Sequence, residues 1–539
     1  MKVNKMAVPN QNQILHAYKN NEAFLHKYFD YPNDGDAYHA RLKELAARNF
    51  KRETLADVIQ SFMKPFGISK ASEKHLLELR QENAVTVVGG QQAGILTGPM
   101  YSVHKAITVL VKAKEQRAKL GVPVIPVFWI AGEDHDLNEI NHVYTETNGQ
   151  VVKAQIKDKF VLKLMASDAK FDRDEMTVFV KDVFSKLGET AYTEGLLSGV
   201  LRAVQKEETF TGFFTCLMNG LFAEEGLLFV DAAFEPLRRL ESDYFCQLIN
   251  ASEAIASFVE AKERGLQADG FGLPIGAEKD AAHLFYVHET GRMLLSQKNG
   301  RFINESAGLS FTKDELLQMA KKEPDCLSNN VVTRPIMQDL VFPVLAFVGG
   351  AGELAYWAIL KEAFHHIGLK MPIFVPRMSM TIISRRTEKR LRETNLSVEA
   401  VMAGQAAEQK TKLVDELQDH RFTETVDVLQ QKLKADYEML YEWFDESDVM
   451  MNQLLQKNLA YHEKQFDYLK QKYEDAVYVK HDAAFRKFDC LEAALYPEKQ
   501  LQERIYHPYV YLNEYGPKLI KELLTQPFDE DGAHYLVFL

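Results

Sequence analysis

Residues 84–112 read AVTVVGGQQAGILTGPMYSVHKAITVLVK. Val85, Val87 and Val88 predict a short buried strand, Gly89-Gly90 a turn, and Gln91 onward a polar loop that ends where a helix opens at Pro99. A strand feeding a glycine-rich loop and a helix N-terminus places an anion above a parallel sheet, because backbone N–H groups can approach it and the helix dipole favours negative charge. A second such unit lies at residues 342–366, FPVLAFVGGAGELAYWAILKEAFHH, with a hydrophobic strand, Gly349-Gly350 and a helix after Gly352. Two strand–Gly-Gly–helix units about 250 residues apart predict one nucleotide-type α/β sheet with inserted segments.

The 539 residues are 46% hydrophobic, enough to bury a large core and to divide into several domains. A net charge of −12 argues against bulk nucleic-acid binding. The first residues, MKVNKMAVPNQNQ, contain no apolar signal-peptide core, and no run is long enough to span a bilayer. The four cysteines, Cys216, Cys246, Cys326 and Cys490, form no C-x-x-C pair. A disulfide framework and a cysteine-rich zinc site are therefore not expected, and a reducing cytoplasm is.

Residues 1–83 read as helical, with a break at Pro65-Phe66-Gly67. Residues 84–150 form the first half of the core, including a second strand, GVPVIPVFWI at 121–130, which runs into the acidic loop AGEDHDLNEINH. Residues 151–225 read as an inserted region of short strands and polar helices, and 226–267 as a core strand, GLLFVD, with its helix. Turns at Gly272, Gly276, Gly291 and Gly300 mark a second insertion over 268–328, and residues 329–385 close the core. Residues 386–500 change to long polar helices with heptad spacing at Leu433, Tyr437, Leu440 and Phe444, and again from Leu455 through Leu459, His462, Phe466 and Leu469 to Tyr473. The intervening Asp445-Glu446-Ser447-Asp448 predicts a turn, hence a hairpin whose spare apolar stripe packs either on its own domain or on a second copy. Residues 501–539 form a C-terminal segment.

Four segments carry chemistry. The first loop lacks the Gly-Lys-Ser/Thr of a P-loop and is not a G-x-G-x-x-G fingerprint. Thr97 is placed to cap the helix at Pro99, with His104 and Lys105 just over one turn in. Glu133-Asp134-His135 follows a buried strand at the carboxyl edge, where carboxylates suit an amine or sugar hydroxyls and a histidine can carry a proton; a plain helix N-cap cluster is the competing account. Arg334, Gln338 and Asp339 precede the second Gly-Gly strand, Glu353 opens the helix after it, and Arg334 suits a carboxylate or phosphate. Arg377-Met378-Ser379-Met380-Thr381 follows the strand IFV, where a basic group and hydroxyls can meet a phosphoryl group.

Taken together, GGQQAGILTGP, WIAGEDHDLNEINH, RPIMQDLVFPVLAFVGGAGELAYW and PRMSMT resemble the bacillithiol biosynthesis cysteine-adding enzymes, over essentially the whole chain. The resemblance implies a Rossmann-like core with two connective-peptide insertions similar to class I aminoacyl-tRNA synthetases, a helical coiled-coil domain, and a cytoplasmic carbon–nitrogen ligase that adds L-cysteine to glucosaminyl-malate. Where those synthetases carry two histidines this chain has Thr97-Gly98-Pro99-Met100, and the second lysine of their Lys-Met-Ser-Lys-Ser loop is absent from residues 377–381. The expected partners are the two substrates, ATP or another nucleotide, and a second copy through the coiled coil, with no zinc, nucleic acid or membrane. Glu133, Asp134, His135 and Arg377 are the expected catalytic residues. Gly90, Gln91, Gln92, Thr97, Trp129, Arg334, Gln338, Asp339, Gly349, Gly350 and Glu353 would bind substrate, and Gly94, Gly98, His104 and Ser379 the nucleotide. A non-catalytic dimeric scaffold and a nucleotide-sugar transferase are the alternatives.

Overall fold

The computed structural model describes residues 1–7, 12–32, 34–156, 164–289, 291–445, 447–528 and 532–539. Its core is a five-stranded parallel sheet of β1 (Val85–Gln91), β2 (Val124–Ile130), β3 (Leu228–Asp231), β4 (Val344–Gly349) and β5 (Ile373–Pro376), in the order β5-β4-β1-β2-β3. Every residue of β2, β3, β4 and β5 is buried. Strands buried on both faces read as continuous hydrophobic runs, which is why they stand out in the sequence. The order reverses between β1 and β4, so the two Gly-Gly units flank the topological switch point, where open α/β sheets bind ligands.

The glycines do different work from that expected. β1 does not turn at Gly89-Gly90 but continues through Gln91, with Gly90 beside Trp129 and Gln91 beside Ile130. A Cβ on Gly89 would lie 2.7 Å from the Val109 side chain, and one on Gly90 would lie 2.4 Å from the Trp129 carbonyl oxygen. Glycine is thus required for close approach within the strand. The helix α1 (Tyr101–Leu120) starts after Pro99, and Thr97 does not cap it: Thr97 sits at φ 72° and its hydroxyl is buried without a partner among the described residues. The helix of the second unit, α2 (Ala351–Trp357), begins one residue before Gly352.

One further expectation changes. The described residues of 1–83 hold five α-helices but open with a strand, Lys2–Met6, paired antiparallel with His534–Phe538; Ser379–Ile383 completes that small sheet. A partner more than 500 residues away leaves no local signal. After a hairpin of His142–Thr147 and Gln150–Gln155, the described part of the first inserted region is helical over Arg173–Leu187, Thr193–Lys206 and Phe210–Phe222, and residues 157–163 of it lie outside the described residues. The second insertion is a five-stranded sheet, Ala281–His288 through Leu327–Asn329.

The chain divides into two units, one of residues 1–145, 152–382 and 500–539, the other of 146–151 and 383–499. Residues 500–539 therefore belong with the core and are not a separate tail. The second unit is dominated by a hairpin of His420–Tyr441 and Val449–Leu495, joined through residues 442–448, of which Glu446 lies outside the described residues. No helix among the described residues is long and apolar enough to cross a membrane.

Candidate active site

Lys105 stands at the switch point. One turn into α1, its buried ammonium donates to the Gly90 carbonyl (2.6 Å), the Gln91 side-chain oxygen (3.0 Å) and Glu353 (2.6 Å). Glu353 also accepts from the Gly350 amide at 2.8 Å. One lysine thus ties the end of β1 to the first turn of α2 after β4. Burial lowers the Lys105 pKa, with Glu353 acting in the opposite direction.

A second cluster sits at the end of β5. Glu503, from the C-terminal segment, takes both terminal nitrogens of Arg377 (2.7 and 3.0 Å). It also pairs with His104 Nδ1 (2.7 Å) and accepts from the Ser379 hydroxyl (2.9 Å) and the Met380 amide (3.1 Å). Burial would raise the Glu503 carboxyl, but Arg377 and His104 outweigh it and hold it well below the usual range. His104 is kept towards its neutral form by burial, with Glu503 opposing. Ser379 also meets His534 Nδ1 at 2.7 Å.

The third cluster surrounds Glu133. Its carboxylate pairs with Arg238, accepts from the Ser328 hydroxyl (2.7 Å) and the Asn329 amide (3.3 Å), and lies 3.8 Å from Arg292. Burial would raise this carboxyl too, but Arg238 and Arg292 hold it at about 2. Glu133 is therefore a buried ion-pair member, held ionised by its arginines. Arg238 is shared with Glu241 (3.0 Å), which burial pushes up to about 7.

The remaining expected residues scatter around these clusters. Asp134 accepts from Gln92 at 2.7 Å, and Gln92 also reaches Glu139. His135 is partly exposed and meets the edge of Phe285 at 5.8 Å. Trp129 is buried in β2 against Phe342 at 6.0 Å. Gly94 packs on Gly98, whose φ of 68° needs glycine. Gly349 leaves room for the Phe374 ring. Gln338 is buried on the helix α3 (Thr333–Val341). Asp339 is not in the crevice: it pairs with Arg41 and with Arg48 (2.7 Å), and Arg41 also donates to the carbonyl of Val344, the first residue of β4. That places Asp339 at the amino end of the sheet, where it anchors the helix Gly35–Ala46.

Arg334 differs from the other cations. Its one hydrogen bond among the described residues is to the neutral Tyr356 hydroxyl, at 2.9 Å, and no carboxylate pairs with it. Lys105 has Glu353 and Arg377 has Glu503 as ion-pair partners, whereas Arg334 makes no ion pair among the described residues; burial lowers its pKa, but Tyr356, Glu353 and Glu133 acting through space outweigh it. Sequence reasoning passed over Glu503, Arg238 and Arg292, and left Lys105 outside the site. Lys105 had a signal, a lysine directly behind a glycine-rich loop. Glu503 had none, since its partners lie 126 and 399 residues away.

A parallel sheet with a buried, multiply charged site at its switch point defines an α/β enzyme of the Rossmann-like class. The family model for the bacillithiol biosynthesis BshC N-terminal Rossmann-like domain matches residues 1–378, and that for the BshC C-terminal coiled-coil domain matches 380–539. Relatives named "Putative cysteine ligase BshC" are 47% identical in Lysinibacillus sphaericus, 37% in Geobacillus thermodenitrificans and 35% in Bacillus velezensis, each covering all of both chains. The chain belongs to the BshC family of bacillithiol biosynthesis, a family of ligases.

Proposed function

We propose that the chain is a cytoplasmic carbon–nitrogen ligase that joins the carboxyl group of L-cysteine to the amine of glucosaminyl-malate, with a nucleoside triphosphate as co-substrate. The family and the names of its relatives support the cysteine ligase reading. The observation that carries the site assignment is Arg334, a guanidinium with no carboxylate partner among the described residues, at a sheet edge suited to ligands. It is the group to take a substrate carboxylate.

The start of α1 fits a phosphate. Thr97 and Ser102 carry buried hydroxyls without partners among the described residues, and they flank Gly98 at the N-terminus of a 20-residue helix. A bound nucleoside triphosphate would supply the activating group for the carboxyl carbon. The amine must then lose a proton, and with Glu133 committed to Arg238 the residue on that loop for the task is His135.

Arg334→Met should lower kcat/KM for the carboxylate substrate about 100-fold, the scale of a lost charged hydrogen bond of ~3 kcal/mol. Product is followed by mass spectrometry from L-cysteine, glucosaminyl-malate and ATP. A variant within threefold of wild type would remove Arg334 from the site, and absence of product from the wild-type protein would remove the ligase reading itself.

A further inference from the structure

We infer that Glu503 is a positioning residue, holding Arg377 and His104 at the carboxyl end of the sheet, so that the C-terminal segment is a component of the active site. The kinetic part rests on the ligase reading. The segment is pinned on both sides of Glu503. The Gln502 side chain exchanges two hydrogen bonds with the Ile382 backbone, at 2.8 and 2.9 Å, and the Tyr506 carbonyl accepts from the Met100 amide at 2.7 Å, just before α1. Residues 502–506 are thus fixed to the strand after β5 and to the loop after β1 at once. Glu503, buried between these anchors, contacts Arg377, His104, Ser379 and the Met380 amide through its two oxygens.

This saturation orients both partners. With its terminal nitrogens held by Glu503, Arg377 turns its Nε towards the switch-point loop, 4.0 Å from where a Cβ of Gly350 would lie. His104 uses Nδ1 on Glu503, which makes Nδ1 the protonated nitrogen and leaves Nε2, with no partner among the described residues, as the acceptor. A carboxylate that fixes a histidine tautomer is the orienting element of catalytic triads. Replacing a buried Arg–Glu pair by apolar groups is often neutral for stability, so retaining one charged at a ligand edge needs a reason other than stability.

The test is kinetic and structural. Glu503→Gln should lower kcat 30-fold or more with KM for L-cysteine within threefold, and Glu503→Asp about tenfold. Because Glu503 acts partly through Arg377, Glu503→Gln should cost at least fivefold less in an Arg377→Ala background. Equal cost in both backgrounds, or kcat within threefold of wild type, would overturn the inference. If Glu503→Gln does not fold, Glu503→Asp carries the kinetic test. If wild-type protein forms no product, the ligase reading fails on its own, and a crystal structure of Glu503→Asp decides: an Arg377 guanidinium displaced from its wild-type place supports the positioning role, and one that stays there overturns it.

Discussion

Glu133 accepts from a guanidinium, a hydroxyl and a backbone amide through one oxygen, Oε2, and Arg238 and Arg292 hold its carboxyl at about 2 against burial, so it is a poor acceptor for a substrate proton. Removing one member of a buried ion pair strands the other, at about 3–5 kcal/mol. Glu133→Ala should therefore lower stability by that much in urea denaturation, and an unchanged midpoint would show the pair to be inert. His507 is the opposite case. It is fully buried, neither ring nitrogen has a partner among the described residues, and burial holds its pKa at about 3. Its folded pKa is depressed from 6.5, so below pH 6.5 the unfolded chain binds a proton that the folded chain refuses. Stability is lost as pH falls from 6.5 towards 3, by about 2 kcal/mol at pH 5 at 1.36 kcal/mol per pH unit. His507→Phe should raise the denaturation midpoint at pH 5 relative to its effect at pH 7.5. An equal effect at both pH values would place the acid sensitivity elsewhere. Glu133, held at about 2, works in a lower window: its contribution is lost only as pH falls below about 4.5.

At the scale of elements, the two Gly-Gly units were legible because strands buried on both faces and glycine pairs are local signals. Their geometry was not. Whether Gly90 turns or continues the strand depends on Trp129, its neighbour across the ladder. The substitutions Gly90→Ala and Gly350→Ala separate the two uses of glycine. A Cβ on Gly90 meets backbone at 2.4 Å, whereas one on Gly350 meets nothing nearer than 3.7 Å, at an ordinary φ of −82°. Gly90→Ala should lose several kcal/mol through overpacking of roughly 1–3 kcal/mol plus strand distortion, and Gly350→Ala should fold as wild type. Thermal unfolding of the two variants checks this, and equal midpoints would refute it. The candidate site was legible in part for the same reason. Arg334, Glu353, Arg377 and the first loop lie near core-strand ends, where sequence alone points. Glu503 and the Lys2–Met6 strand depend on contacts made across most of the chain.

At the scale of the molecule, the hairpin of the second unit carries more apolar surface than it uses. Leu455, Leu459, Phe466 and Tyr473 are half-buried in its seam, and Tyr437 turns inward to Asn458 and His462. Leu454, Tyr461 and Tyr468 repeat every seven residues along the second helix and are 56%, 67% and 55% exposed, with Trp443 at 82% near the turn. A heptad stripe left outside a two-helix seam is the pattern of a further helix–helix contact. We propose that a second copy covers it in a closed two-fold dimer, since a self-complementary patch closes without leaving free ends and the net charge of −12 opposes indiscriminate association. Light scattering of the full chain should give twice the chain mass at micromolar concentration. The triple variant Leu454→Glu, Tyr461→Glu, Tyr468→Glu should give a folded, helical monomer, because the stripe lies outside the hairpin seam, with a midpoint lowered only by the lost stabilisation of the dimer. Leu459→Asp with Phe466→Asp should instead melt the hairpin by placing charge in that seam. A monomeric wild-type chain would refute the dimer, and a triple variant that remains dimeric would move the interface off this stripe.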